Sequence, residues 1–397
     1  MDTFNIIKSS VKEIVPEIEF KQKLKKSKKS GKPLIVKYGI DPTGSDVHIG
    51  HLVPIRTMRL FQDLGHIGVI IIGDFTAQIG DPTGKDVSRP TLSKAQVLEN
   101  SKQYMEQLYT VLDREKTRVH YQSEWFDKMT MSDVLKLMSQ FTLAQFMAHE
   151  TFRKRYEKGL SLGFHELMYP ILQAYDSVKI NSDIELGATE QKFNLLQGRV
   201  MQNLFGQKGQ IAIMSPILMG TNGLSKMSKS DNNYIGVLDS AKKKYGKTMS
   251  IPDSLIINYF KYATKISAVE LKKIALQLKN KDVNPKLIKM KLAREITQLY
   301  HTKKEVLDAE DEFNNIFSKG NIPKNIKKLV IKNPTWIIKI LTQSSLCKSS
   351  SEARRLIMQN AVSINGEKFS DINFKVSKDC TIKVGKRRFL DVEVKSG

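Results

Sequence analysis

Apolar residues fall into two rhythms over the first 75 positions. Leu34 to Ile40 is a short, largely apolar run that predicts a strand. After the turn residues Asp41-Pro42-Thr43-Gly44, apolar Leu52, Ile55, Met58, Leu60, Phe61 and Leu64 recur every three or four positions. That spacing predicts a helix from about His48 to Leu64. Gly65 is placed to end it, and Pro54 lies in the first turn, where proline is tolerated. Val69-Ile70-Ile71-Ile72, ending at Gly73-Asp74, reads as a strand buried on both faces. Strand, helix, strand is how a nucleotide-binding α/β sheet begins.

Further on, helical spacing runs from Thr91 to Leu112 and from Met131 to Tyr156, and Ile211-Ala212-Ile213-Met214 predicts another strand. Ser240 to about Phe317 reads as helices with charged faces. Lys319 to Pro334 places Gly320, Pro323, Asn333 and Pro334 among lysines, as a linker would. A short helix near Ser350 to Asn360 precedes the alternating runs Val362-Ser363-Ile364 and Thr381-Ile382-Lys383-Val384. The expected architecture is α/β: a Rossmann-type parallel-sheet catalytic domain with a connective insertion over 1–236, a helical domain over 237–330, and a small α+β domain over 335–397.

Composition narrows the setting. The chain has 397 residues, long for one core, and no apolar run of membrane-spanning length. Its first twenty residues mix Asp2, Glu13, Glu17 and Glu19 with apolar positions, unlike a signal or transit peptide, so a cytoplasmic location is expected. Two cysteines, Cys347 and Cys380, are too few for a disulfide framework, and no Cys-x-x-Cys pair supports a metal site. The net charge of +23 predicts a polyanionic partner, although a lysine-rich composition alone would also give it. Lys21 to Lys32 (KQKLKKSKKSGK) is expected to be a solvated, mobile stretch.

Two motifs carry chemistry. His48-Ile49-Gly50-His51 opens the first helix, where free backbone N–H groups and the positive dipole end suit phosphates. Two histidines at i and i+3 share a face there, and Gly50 leaves room for a base on the backbone. The same spacing also occurs as surface histidines or an accidental metal pair. Lys226-Met227-Ser228-Lys229-Ser230 follows the loop Met219-Gly220-Thr221-Asn222-Gly223 and can close over a triphosphate, or be an ordinary Lys/Ser loop. Together, in this order, the two strings resemble the signatures of class I aminoacyl-tRNA synthetases.

Within that class the chain resembles the tyrosyl enzymes over nearly its whole length. Tyr169, Gln173 and Asp176, in Tyr169-Pro-Ile-Leu-Gln173-Ala-Tyr-Asp176, share one helical face. The resemblance implies that this face grips tyrosine and that Asp176 accepts the phenol hydrogen bond, leaving a buried acceptor unpaired were phenylalanine bound. It further implies tyrosine contacts at Thr76, Asp81 (for the α-amino group) and Gln191. ATP contacts are implied at Gly39, Asp41, Thr43, Gly50, Gly187, Glu190, Met227 and Ser228. Charge stabilisation on the phosphates falls to His48, His51, Lys85, Arg89, Lys226 and Lys229. Gly84-Lys85 is not a P-loop, because the G-x-x-x-x-G-K-[ST] pattern is absent around it.

Gly187-Ala188-Thr189-Glu190-Gln191 departs from the family's Gly-Gly-(Ser/Thr)-Asp-Gln, in which the Asp binds ribose hydroxyls. Lys37 stands where many members place a tyrosine beside the substrate phenol, which one branch of the family lacks. Leu346 to Ile357 and Ala361 to Lys368 are similar to an RNA-binding domain first named for a small-subunit ribosomal protein. There, Arg354, Arg355 and Lys368, with Lys386, Arg387 and Arg388 nearby, would meet RNA. The implied reaction activates L-tyrosine with ATP, carrying Mg2+, and transfers it to the 3′ end of tRNA(Tyr), in a homodimer. The rivals are a tryptophanyl enzyme, a small-metabolite nucleotidyltransferase and a non-catalytic synthetase-derived RNA-binding protein.

Overall fold

The computed structural model describes residues 3–42, 44, 46–79, 93–280, 283–317, 327–385 and 388–395. The chain forms two compact units, Met1–His301 and Thr302–Gly397. The helical segment expected as a domain of its own straddles that division.

The first unit is built on a six-stranded sheet: β1 (Glu13–Val15), β2 (Ile35–Ile40), β3 (Ile67–Ile72), β4 (Thr117–Tyr121), β5 (Ile184–Ala188) and β6 (Ile211–Ser215), in the order β1-β6-β5-β2-β3-β4. β2 to β6 run parallel and β1 pairs antiparallel with β6 at the edge. From β2 the chain winds outward through β3 and β4, then returns to place β5 on the other side of β2. The strand order therefore reverses between β2 and β5, and the crevice beyond their carboxyl ends is where such sheets bind ligands. The expected helix spans Leu52–Asp63, and Gly65, at φ +90°, ends it in the conformation that glycine alone adopts without cost. His48 to His51 form the turn before it.

One expectation needs correction. Lys21–Lys32 is not a mobile stretch: Glu17–Ser30 is a helix, closed by Gly31 at φ +68°. Fully buried Phe20 anchors it to the sheet core, and Lys23 meets Asp183 at 2.9 Å. The lysines occupy its wet side. The helical pattern from Met131 to Tyr156 is divided into three short helices, Met131–Met138, Leu143–Met147 and Glu150–Glu157. Thr142 breaks it by capping a new start, accepting the Gln145 N–H.

Helices Ala241–Met249, Ile256–Ala263, Ala268–Lys279 and Pro285–Gln298 follow the sheet. Residues from the latter three join Ile49, Val53 and Met227 in a single apolar cluster, so both signature motifs are backed by this helical layer. The second unit is α+β. The helix Lys303–Phe317 is followed by a five-stranded sheet ordered Glu367–Phe369, Val362–Ile364, Cys380–Val384, Arg388–Val394 and Lys327–Ile331. Lys327–Ile331, expected in a linker, is an edge strand parallel to Arg388–Val394.

Candidate active site

A cleft of about 590 Å³ lies at the switch point. Its walls come from the ends of β2 and β5, the His48–His51 turn, the helices Phe164–Lys179 and Leu52–Asp63, and the 226–230 loop. Every described residue of the first unit expected in the site lines it: Gly39, Asp41, His48, Gly50, His51, Thr76, Tyr169, Gln173, Asp176, Gly187, Glu190, Gln191, Lys226, Met227, Ser228 and Lys229. Thr43, Asp81, Lys85 and Arg89 lie outside the described residues.

The helix Phe164–Lys179 sets the floor. Asp176 is 1% exposed, and its carboxylate accepts the Gln122 amide N–H at 2.8 Å and the Trp125 indole N–H at 3.2 Å. Burial raises its pKa to about 7, against the pull of the Lys37 ammonium and the Gln122 hydrogen bond. One wall upstream, Tyr169 donates its hydroxyl to Asp41 at 2.8 Å, and the Thr76 hydroxyl donates to the other Asp41 oxygen at 2.7 Å. Gly73 is required there, since a Cβ would lie 2.1 Å from Asp41 Oδ1. Lys37 does not line the cleft. It is fully buried behind the helix, bonded to the Gln173 carbonyl, Ser177 and Glu185.

At the other end, the His48 and His51 rings stack with centroids 3.5 Å apart. Tyr104 Oη lies 3.3 Å from His51 Nδ1. His48 is 5% exposed, and burial, then the Lys229 ammonium, lowers its pKa to about 3, so it is neutral at physiological pH. Its Nδ1 has no hydrogen-bond partner among the described residues. A Cβ on Gly50 would sit 3.0 Å from that nitrogen. The 226–230 loop is held against this turn: Lys229 donates to the Asp46 carbonyl at 2.8 Å, and Lys226 meets Glu190 at 3.0 Å. Burial lowers the Lys229 pKa. The segment after the loop pairs with the histidine turn, Ile49 N–H to the Ile235 carbonyl at 3.0 Å and Val237 N–H to Val47 at 2.8 Å.

Several residues in this framework carried no sequence signal. Gln122 and Trp125 follow β4 without a motif, yet they hold Asp176. Asn233 shapes the lysine loop, accepting the Ser228 N–H at 2.7 Å and donating to Ser225 and the Lys226 carbonyl. Such residues are visible only once the strand ends converge. In the second unit, Arg354 and Arg355 lie on the helix Ser350–Met358 and Lys368 on the strand Glu367–Phe369, all three exposed. Ser349 caps that helix by accepting the Glu352 N–H, and Asn365-Gly366, both at positive φ, make the tight turn.

Residues 28–318 match the family described as tRNA synthetases class I (W and Y), and residues 316–389 match the Tyrosine--tRNA ligase SYY-like C-terminal domain. The chain is 48% identical over 396 residues to the Tyrosine--tRNA ligase of Carboxydothermus hydrogenoformans, covering 98% of this chain and 96% of that protein. It is 45% identical to the Tyrosine--tRNA ligase of Moorella thermoacetica, covering 97% of this chain and 94% of that one. Among solved structures, the tyrosyl-tRNA synthetase of Archaeoglobus fulgidus complexed with L-tyrosine shares the fold at TM-score 0.62 and 18% identity. The match covers 78% of this chain and 98% of that one.

Proposed function

The chain belongs to the class I tRNA synthetases of the tryptophan and tyrosine group, and from that premise we infer the reaction and the division of labour in its cleft. It is an aminoacyl-tRNA ligase that joins tyrosine to tRNA, as the near full-length identity to tyrosine–tRNA ligases carries. Tyrosine's carboxylate attacks the α-phosphate of ATP, giving tyrosyl-adenylate and pyrophosphate, and the 3′-terminal adenosine of tRNA(Tyr) then takes the tyrosyl group.

The single observation that best supports the site assignment is Asp176, a carboxylate buried at the cleft floor and given only donors by Gln122 and Trp125. Its remaining acceptor capacity suits a phenol O–H, and phenylalanine would leave it unsatisfied. The Tyr169–Asp41–Thr76 chain forms the adjoining wall. Around the phosphates, neutral His48 and the stacked His51 ring supply hydrogen bonds, and Lys226 and Lys229 supply charge, with Lys85 and Arg89 completing the set. No group on the chain becomes covalently attached; catalysis is positioning and electrostatic stabilisation of the developing negative charge. ATP would be taken as its magnesium complex, in which the ion would offset phosphate charge alongside Lys226 and Lys229. Gly39 supports the adenylate site: a Cβ there would meet no protein atom within 4 Å, so the strand edge lies open to the cleft. Glu190 takes the ribose hydroxyls in place of the family's aspartate, beside Gly187 and Gln191.

The helices over 237–330 serve the anticodon arm, and the module over 335–397 binds RNA through Arg354, Arg355 and Lys368. The protein acts in the cytoplasm as a homodimer, in which one tRNA spans both subunits. No helix among the described residues is long and apolar enough to cross a membrane. The test is ATP–pyrophosphate exchange with each amino acid, followed by transfer to tRNA. Exchange driven by tyrosine, far above phenylalanine or tryptophan, is the expected result, and no exchange with any amino acid would overturn the reading. Sedimentation showing a fully active monomer would refute the dimer.

A further inference from the structure

Behind the tyrosine-binding face lies a buried ion pair that the reaction itself does not use. Lys37, on β2, and Glu185, on β5, are 0% and 1% exposed and meet at 3.0 Å. Every polar valence in the pair is used. The Lys37 ammonium has three N–H bonds, which go to the Gln173 carbonyl (2.8 Å), the Ser177 hydroxyl (2.8 Å) and Glu185 Oε1. Glu185 Oε1 also accepts the Gln173 side-chain amide at 3.0 Å. Glu185 Oε2 accepts the Ser177 hydroxyl at 3.3 Å and the Gln210 amide. The helix Lys192–Leu204 makes room with Gly198, where a Cβ would fall 3.1 Å from Glu185 Oε2 and closer still to Gln210. Two charges have thus been taken out of water at a site where an apolar pair would cost less.

The pair has one contact that reaches the cleft, the Gln173 side chain. An ionised carboxylate only accepts, so Gln173 can meet Glu185 solely through its NH2 group. The amide is planar, so its oxygen faces away from Glu185, on a side chain that lines the cleft. A glutamine free to flip would present either a donor or an acceptor there; this one is fixed as an acceptor. Asp176, on the same face, is suited to the phenol, so the remaining strong donor of tyrosine is its ammonium group. We propose that the Lys37–Glu185 pair is a positioning and specificity element: Glu185 locks the Gln173 amide with its oxygen toward the substrate ammonium, and Lys37 keeps Glu185 charged and in place.

This rests on the assignment of the cleft to tyrosine, which Asp176→Asn tests separately, by its loss of preference for tyrosine over phenylalanine. The pair is tested with Lys37→Met/Glu185→Leu, which removes both charges together. Gln173 Nε2 then has no carboxylate to meet, and the acceptor end of its amide is no longer fixed toward the cleft. Binding of L-tyrosine and of desaminotyrosine, which carries hydrogen in place of the ammonium, is measured by calorimetry on the full-length protein. Melting curves establish that each variant is folded. The expected result is that the preference for tyrosine over desaminotyrosine falls about tenfold or more, the scale of a lost charge-assisted hydrogen bond. A purely structural pair would weaken both ligands alike and leave the ratio unchanged, which overturns the proposal. Where that variant does not fold, Lys37→Met/Glu185→Met, closer in volume to the native pair, takes its place. It should lose the same ammonium preference, and a wild-type ratio in either folded variant overturns the proposal.

Discussion

Lys226, the first residue of the lysine loop, is tied to Glu190 across the mouth of the cleft, with Nζ 3.1 and 3.0 Å from the two carboxylate oxygens. Both side chains are partly exposed, at 46% and 34%, so the pair is worth no more than about 0.5–1 kcal/mol. A contact that weak gives way readily, which would free Lys226 and Glu190 for the phosphate and ribose contacts proposed for them. Glu190 is therefore expected to matter for nucleotide binding and little for stability. In Glu190→Gln, the KM for ATP in pyrophosphate exchange should rise about tenfold or more, as a charged hydrogen bond is lost, while unfolding free energy moves by less than about 0.5 kcal/mol. An unchanged KM for ATP would remove Glu190 from the ribose site.

Gly73 follows the end of β3, where its N–H donates to the Ile40 carbonyl at 2.8 Å. An added Cβ would come within 2.1 Å of Asp41 Oδ1 and 2.4 Å of Thr76 Oγ1, far inside contact distance. Neither partner can yield without breaking the Tyr169–Asp41–Thr76 chain. Gly73→Ala should cost about 1–3 kcal/mol of stability, as overpacking does. It should also lower kcat/KM for tyrosine about a hundredfold, because small misplacements in a site cost that much. Wild-type kinetics in Gly73→Ala would show that Asp41 is not held by this contact.

What the sequence revealed and what it hid follow from the same physics. β3 and β6 are continuous apolar runs buried on both faces, so they were legible. β5 is just as buried, but it carries Glu185 and breaks the apolar signal. β4 alternates Arg118 and His120 with Val119, and β1 is three residues at an edge. The site residues came from motif resemblance, and each described one of the first unit does line the cleft. Gln122, Trp125, Asn233 and Glu185 could not be found that way. Their roles are contacts between segments 50 or more positions apart in several cases, such as Gln122 with Asp176. The lysine-rich stretch was misread because charge dominated its pattern, while two apolar residues, Phe20 and Leu24, were enough to seat the helix.

His48 gives a pH prediction with a definite sign. Burial lowers its pKa to about 3, below the ordinary value near 6.5 that it regains on unfolding. Between those values the unfolded chain binds the extra proton, so stability is full above pH 6.5 and is lost as pH falls toward 3. The slope is at most about 1.4 kcal/mol per pH unit. In His48→Asn that contribution disappears. Denaturant unfolding at about pH 7.5 and about pH 5.5 should show a smaller loss in the variant than in the parent, by about 1 kcal/mol. Equal losses in the two proteins would mean that His48 is protonated in the fold, and the neutral hydrogen-bonding role assigned to it would fall.

The second unit makes its own prediction, because its basic residues stand on a surface and not in a pocket. Arg354 lies on the exposed face of the capped helix, its guanidinium 5.6 Å from the Trp336 ring, and its neighbours Ala353 and Ile357 are buried in that unit's core. Arg355 and Lys368 are likewise exposed. Side chains placed this way are open to phosphates, and each contact of the proposed RNA face should appear as released counterions. Arg355→Ala and Lys368→Ala should each weaken tRNA binding and reduce the slope of log affinity against log salt by about 0.7–0.9. Tyrosine-dependent pyrophosphate exchange should stay at the wild-type level, since the residues described as lining the cleft belong to the first unit. Arg354→Ala should also release the Trp336 ring and cost about 0.5–1 kcal/mol of stability in that unit. A salt slope unchanged in all three variants would mean that this face does not touch the phosphate backbone, and that the charge of the module serves solubility instead.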